Sequence, residues 1–260
     1  MIDEQEACAC LSVNGMIATI TLNKPTAYNA IDTDMALRLK LLALEVEARK
    51  DIRVLVLAGA GKSFCAGGDL DFFVRHIDDL APPITQLLTD LNIFLLVLQR
   101  MPALVLTSVQ GVAAGAGFSL AFMGDFCIAA DNARLRPAYI QIGLSPDAGG
   151  TAALVRAVGP RRAMQLFLAE QEVSAQQAMQ WGMVARVVPA VELKQQTEAF
   201  ALRLALWEPK AAAATKRLIM HSAGTKLHIQ LEEELKAVVS CMDSESFKLK
   251  LRQLRQNRHN

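Results

Sequence analysis

The segment from Met101 to Gly124, "MPALVLTSVQGVAAGAGFSLAFMG", decides the fold, because its two readings lead to different classes of protein. It carries no charge between Arg100 and Asp125 and is long enough to cross a bilayer. Thr107, Ser108 and Gln110 interrupt the apolar run, and Gly111, Gly115 and Gly117 break it. The stretch therefore reads as a buried strand, a glycine-rich turn and the start of a helix, which is an α/β pattern and not a membrane span.

The flanking sequence repeats that pattern. Val54–Gly59, "VLVLAG", and Phe126–Asp131, "FCIAAD", are unalternating apolar runs suited to strands buried on both faces of a parallel sheet. Met16–Leu22, "MIATITL", alternates and predicts an antiparallel strand. After the turn-rich "NKPTAYNAID", Asp32 or Thr33 can cap a helix running to about Lys50, with Met35, Leu39, Leu42 and Val46 on one face. From Arg161 onward the pattern is almost wholly helical, most clearly in "PAVELKQQTEAFALRLALW" and "LHIQLEEELKAVVSCM". Strands separated by helices argue for α/β architecture with parallel pairs.

The 260 residues suffice for one sizeable core with a small helical appendage. With 27 Lys and Arg against 26 Asp and Glu, the net charge of +1 gives no argument for a nucleic-acid partner or an anionic membrane surface. The five cysteines, Cys8, Cys10, Cys65, Cys127 and Cys241, lack a paired framework and read as reduced thiols. The opening "MIDEQEACAC" is acidic, so no secretory signal is expected and the protein is expected in the cytoplasm. No His, Cys or Asp cluster has metal-ligand spacing, so neither a metal nor a separate cofactor is expected.

Two strands end in glycine-rich loops, "AGAGKSFCAGGDL" and "GVAAGAGFSL". The first is not a Walker loop, because only Gly59 and Gly61 precede Lys62, and "GAGF" does not complete GxGxxG. Such loops supply bare backbone N–H groups. If Gly68 and Ala116 converge, their N–H groups can hold one developing oxyanion, each donor being worth about 3 to 4 kcal/mol; otherwise the glycines simply permit tight turns. Asp69 is expected to bond backbone, His76 to face solvent, Cys65 to be buried, and Asp125 and Arg134 to make structural polar contacts. The basic tail "KLKLRQLRQNRHN" is either a solvated helix end or a phosphate-binding surface. In "LSPDAGGT", Leu144 to Thr151, the lone carboxylate Asp147 stands where it can cap the following helix.

Taken together, "NKPTAYNAI", "SFCAGGDL", "GVAAGAGFSLAFMGD", "IGLSPDAGGT" and "SAQQAMQWGMV" resemble, in this order and over nearly the whole chain, the crotonase (enoyl-CoA hydratase/isomerase) superfamily. The resemblance implies an α/β crotonase (ClpP-like) ββα spiral core over residues 1–200, a C-terminal helical trimerisation region over 201–260, and a homotrimer or dimer of trimers. It implies a coenzyme A thioester as substrate. The backbone of Gly68 and Ala116 would then form the oxyanion hole, Lys24, Ala27, Ala66 and Leu70 would contact CoA, and Phe247 and Lys250 would reach its nucleotide end from a neighbouring subunit.

The same resemblance bears on the reaction. The two hydratase glutamate positions are occupied by Ser119 and Tyr139, which line the acyl site but are poor bases near neutral pH. Simple hydration, which needs two acids, is thereby disfavoured. Asp147 matches an acid found in ring-epoxide phenylacetyl-CoA isomerases, dienoyl-CoA isomerases and 4-chlorobenzoyl-CoA dehalogenases, and "GLSPDAGGT" is most similar to the first. Asn92 and Tyr139 stand where the dehalogenases carry a histidine and a tryptophan, and the dienoyl isomerases need a second acid at Tyr139. The resemblance thus implies an enoyl-CoA isomerase in which Asp147 is a single base, its pKa lifted by a dry wall for which Ile142, Leu144 and Leu120 are candidates. The alternatives are a non-catalytic acyl-CoA-binding homologue, an atypical hydratase or an aryl-CoA dehalogenase.

Overall fold

The computed structural model of the chain describes residues 7–169 and 172–257. Its first half contains β1 (Ala9–Asn14), β2 (Ile17–Leu22), α1 (Thr33–Ala48), β3 (Val54–Gly59), α2 (Leu70–Arg75), α3 (Ala81–Arg100), β4 (Leu104–Val109), β5 (Val112–Ala114), α4 (Ala116–Ala121) and β6 (Phe126–Ala130). There follow β7 (Arg134–Arg136), α5 (Gly150–Leu168), β8 (Val173–Ser174), α6 (Ala175–Gln180), β9 (Arg186–Val188), α7 (Leu193–Ala205), α8 (Pro209–Ser222), α9 (Leu227–Met242) and α10 (Glu245–Asn257). They form two compact units, Met1–Ala205 and Leu206–Asn260. The boundary expected at residue 200 lies within α7.

The main sheet of the first unit has the order β1-β2-β3-β4-β6-β9. β1 and β2 are an antiparallel hairpin, and every later neighbour is parallel. Burial follows from the residue pattern. Ala18, Ile20 and Leu22 of the alternating β2 face the core, whereas β4 is buried at each position, as a strand covered on both faces must be. A smaller sheet, β5-β7-β8, lies beyond the ends of these strands, and Cys65 bridges to Ala113 alongside it. The first glycine loop follows the end of β3 and the second follows β4, so parallel pairing brings both to the carboxyl ends of adjacent strands on the same side of the sheet.

The segment read as strand, turn and helix is β4, a turn at Gly111, β5 and α4. Among the described residues the helix long and apolar enough to cross a membrane is a different one, α3. Its Leu87, Leu91, Phe94 and Leu98 are buried in the core, and it packs on α1, where Lys40 pairs with the buried Asp90. Asp32 caps α1 by accepting from the Met35 N–H at 2.9 Å. This helix ends at Ala48, short of Lys50, where Arg49 turns extended and bonds Asp51.

The almost wholly helical pattern expected after Arg161 holds apart from two short strands, β8 and β9. These strands of two and three residues are too short to show a period, and they form only because a sheet edge awaits them. Gly159, at φ 77°, and Pro160 kink α5. In the second unit α8 packs on α9, and Leu227, Leu231 and Leu235 of α9 stay exposed. The opening MIDEQE and the final Arg258, His259 and Asn260 of the basic tail lie outside the described residues.

Candidate active site

The first wall of the site is organised by a residue the sequence reading passed over. Asn29 is fully buried, in the left-handed region at φ 57°, which asparagine tolerates better than most residues. Its Nδ2 donates to the carbonyls of Ala60, Ser63 and Phe64 at 2.9, 2.9 and 3.0 Å, and its Oδ1 accepts from the Lys24 N–H at 2.9 Å. One amide thus ties the turn at Lys24 to the first glycine loop. An asparagine in a turn-rich stretch before a helix was the available signal.

The two glycine loops are stitched together through main-chain groups. Cys65 N–H donates to Val112 O at 3.1 Å and Ala114 N–H to Cys65 O at 2.9 Å. The contact is close enough to dictate residue type: a Cβ on Gly117 would lie 2.1 Å from the Cys65 carbonyl oxygen, so only glycine fits. A Cβ on Gly67 would lie 3.2 Å from the Ala116 nitrogen. Ala116 opens α4, where an N–H has no intrahelical acceptor, and the Gly68 N–H donates to no backbone carbonyl among the described residues. The Phe73 ring covers Gly68, its Cζ 2.6 Å from where a Cβ would stand.

Asp147 does not cap the next helix. Gly149 is the N-cap of α5 and no side chain caps it; Asp147 contributes its carbonyl to the Gly150 N–H at 3.0 Å. The side chain turns the other way, and Oδ1 accepts from the Tyr139 hydroxyl at 2.7 Å. That hydroxyl is 2.8 Å from Ser119 Oγ. Because the single phenolic proton goes to Asp147, Ser119 must donate to Tyr139. Ser119 lies one turn beyond Ala116 on α4, so the carboxylate is bonded into the helix that starts at the second glycine loop.

Tyr139 is 5% exposed and Ser119 is fully buried, while Asp147 is half-buried. Burial pushes the Asp147 carboxyl above the ordinary carboxylate range, and the hydrogen bond from Tyr139 pulls against it. Burial and then the neighbouring Asp147 charge push the Tyr139 phenol far up, so it remains a donor. The dry wall is not the one expected. Leu120 is buried, but Ile142 and Leu144 are 58% and 48% exposed, because the short turn at Ile140–Ile142 ends at the left-handed Gly143 and carries them outward. The Tyr139 ring itself, packed on Phe167 at 6.2 Å, forms the apolar backing.

Lys24, Ala27 and Ala66 are brought together: Ala66 N–H donates to Tyr28 O at 2.9 Å, and Lys24 pairs with Asp32. Leu70 is exposed at the start of α2, which Asp69 caps through the Phe72 N–H at 2.9 Å. Phe247 and Lys250 lie on α10 in the second unit. His76 does not face solvent freely, since its Nδ1 is 2.8 Å from the Phe72 carbonyl and its ring lies 4.5 Å from that of Phe72. Asn92 is exposed on α3. Asp125 accepts from the Val105 N–H and Arg134 pairs with Glu172, both structural contacts. No group of His, Cys, Asp or Glu among the described residues is arranged to hold a metal ion.

The family model for enoyl-CoA hydratase/isomerase matches residues 12–257. The chain is 37% identical over 221 residues to the 1,2-epoxyphenylacetyl-CoA isomerase of Escherichia coli K12, covering 84% of each. It is 32% identical over 228 residues to the trans-2-decenoyl-[acyl-carrier-protein] isomerase of Streptococcus mutans, covering 86% of each. A candidate enoyl-CoA hydratase from Thermobifida fusca, solved in complex with acetoacetyl-CoA, superposes with a TM-score of 0.82 at 30% identity, over 91% of this chain and 95% of that one.

Proposed function

Because the chain belongs to the enoyl-CoA hydratase/isomerase family and is an enzyme of that family, we propose that it moves a double bond of an acyl-CoA thioester, or opens a strained ring beside it, by proton transfer through Asp147. The observation that carries this reading is the hydrogen-bonded series Ser119, Tyr139, Asp147. Both positions that a hydratase fills with glutamate are occupied by hydroxyl groups bonded to one another, and the carboxylate at the site is Asp147. One base suffices for a 1,3-proton shift, since a proton taken from one carbon returns to another once charge has moved along the enolate. No water needs activating.

In this reading the N–H groups of Gly68 and Ala116 donate to the thioester oxygen, a role supported by the contact of their loops and by the lack of another backbone acceptor for either among the described residues. Asp147 removes the α-proton of a 3-enoyl thioester, negative charge develops on the thioester oxygen, and the proton is delivered to the γ-carbon. A carboxyl pushed up by burial holds the proton long enough for the return step. Coenzyme A as the carrier is supported by the acetoacetyl-CoA complex of the Thermobifida fusca relative and by the name of the Escherichia coli one. A trimer or dimer of trimers fits the exposed leucines of α9, and a reducing cytoplasm fits five cysteines that form no disulfide in the described structure.

The test is Asp147→Asn assayed with 3-enoyl-CoA esters by the ultraviolet absorbance of the conjugated product. Turnover should fall by about 10²- to 10⁴-fold, the usual range for loss of a general base, with acyl-CoA affinity nearly unchanged. Retained turnover would rule out Asp147 as the base.

A further inference from the structure

We propose that Tyr139, held in place by Ser119, is a positioning residue that orients the Asp147 carboxylate and sets its acidity, an inference that rests on Asp147 being the base. The geometry leaves each group one role. Tyr139 occupies Oδ1 from 2.7 Å, and Oδ2 takes no bond from another side chain among the described residues, so it is the oxygen presented to the substrate proton. Tyr139 cannot swing away, being buried, packed on Phe167 and bonded to Ser119 at 2.8 Å. Ser119 is in turn fixed on α4, and its hydroxyl occupies space that any side chain at residue 150 would take: a Cβ there would be 2.1 Å from Ser119 Oγ. Four residues from three separate segments therefore agree on one arrangement.

The direction of donation gives this arrangement a function. Ser119 donates to Tyr139 and Tyr139 donates to Asp147, so both protons point toward the carboxylate. A hydrogen bond to a carboxylate is stronger than one to the neutral acid. The pair therefore favours the ionised base, against the burial that favours the acid, and it assists release of the proton to the second carbon. The groups around Asp147 from the neighbouring segments are Tyr139, which bonds it, Ser119 of α4 behind Tyr139, and the glycines opening α5; Tyr139 is the titratable one among them, and among the described residues no charged side chain pairs with the carboxylate.

The experiment is the pH dependence of kcat/KM for 3-enoyl-CoA isomerisation by the full chain, comparing wild type with Tyr139→Phe, Ser119→Ala and Asp147→Asn. Removing the hydroxyl should move the acid limb up by about one pH unit, the worth of one hydrogen bond to a charged group, with KM changed less than about twofold. Ser119→Ala should shift the limb the same way by less, and the double variant should shift it no further than Tyr139→Phe alone. Carbon NMR titration of the Asp147 carboxyl reports the same shift without needing turnover. The chain has two tyrosines, so difluorotyrosine labelling in a Tyr28→Phe background strengthens the Tyr139 donor alone and should move the limb down. An unchanged limb and carboxyl titration in Tyr139→Phe and in the fluorinated protein, with Asp147→Asn inactive, would overturn the positioning role and leave the base standing. Full activity in Asp147→Asn would instead remove the base on which the inference rests.

Discussion

Gly117→Ala tests the geometry of the two glycine loops directly. The added Cβ would lie 2.1 Å from the Cys65 carbonyl oxygen, 2.7 Å from the carbonyl carbon and 2.8 Å from the Cys65 Cβ. Ordinary contact begins near 3.4 Å, so relief requires the loops to part by about 1.3 Å. Neither side is a flexible side chain that can step aside. Cys65 O is engaged by the Ala114 N–H, and Gly117 follows Ala116 directly. The displacement therefore falls on the separation between Gly68 and Ala116, whose N–H groups, as the oxyanion donors proposed above, would be useful only near 2.7 to 3.1 Å from the developing charge. Loss of one such donor costs about 3 to 4 kcal/mol in the transition state, or roughly 10²- to 10³-fold in kcat. Overpacking adds about 1 to 3 kcal/mol of instability, which thermal melting will show as a drop of several degrees. The measurement is kcat for 3-enoyl-CoA conjugation, with circular dichroism to establish folding. Gly182→Ala, at a site with nothing within 4 Å, introduces strain without touching the loops and should leave kcat unchanged. A folded Gly117→Ala protein with wild-type kcat would refute the assignment of the donors to these loops.

Asn29→Ala should destabilise by about 3 kcal/mol, because it strips three carbonyls of their donor and the Lys24 N–H of its acceptor. Asn29→Asp should be worse, since it directs a buried carboxylate at three carbonyl oxygens, and chemical denaturation will rank the two; the reverse order would contradict the assigned amide orientation. Asp147→Asn should melt higher than wild type at pH 7, because burial raises the folded carboxyl above its unfolded value near 3.8 and so penalises the ionised form above both. That gap should close as the pH falls below the unfolded value, and a constant gap would show that the cost is not ionisation. Burial pushes the thiols of Cys65 and Cys127 up to about 12, so iodoacetamide at pH 8 should leave both unmodified in the native protein, as peptide mass spectrometry will report.

The elements with a strong period were legible in the residues. The alternation of β2, the continuous apolar runs of β3, β4 and β6 and the stripe of α1 each record burial along a single segment, which a sequence displays directly. β8 and β9 were not legible, because their pairing is decided by a distant edge and not by their own few residues. The site divides in the same way. Gly68, Ala116 and Asp147 are conspicuous through local chemistry. The bond from Tyr139 to Asp147 spans eight positions and that from Ser119 to Tyr139 spans twenty, across a left-handed turn at Gly143, and no periodicity encodes such contacts. The same turn defeated the expected apolar wall, sending Ile142 and Leu144 outward. Asn29 escaped notice because its four bonds run to main-chain atoms more than thirty residues away as well as to its near neighbour Lys24.

The seam between Cys65, Val112 and Ala114 is drawn entirely in main-chain atoms, and so are the two N–H groups beside it. Such a frame is silent about the side chains that face it. Under the proposed function, replacing Ser119, Tyr139 or Asp147 would alter which atom gains or loses a proton without loosening the proposed main-chain grip on the substrate carbonyl. A lineage built on this seam can exchange one reaction for another by drift at a few positions while inheriting its class of substrate intact.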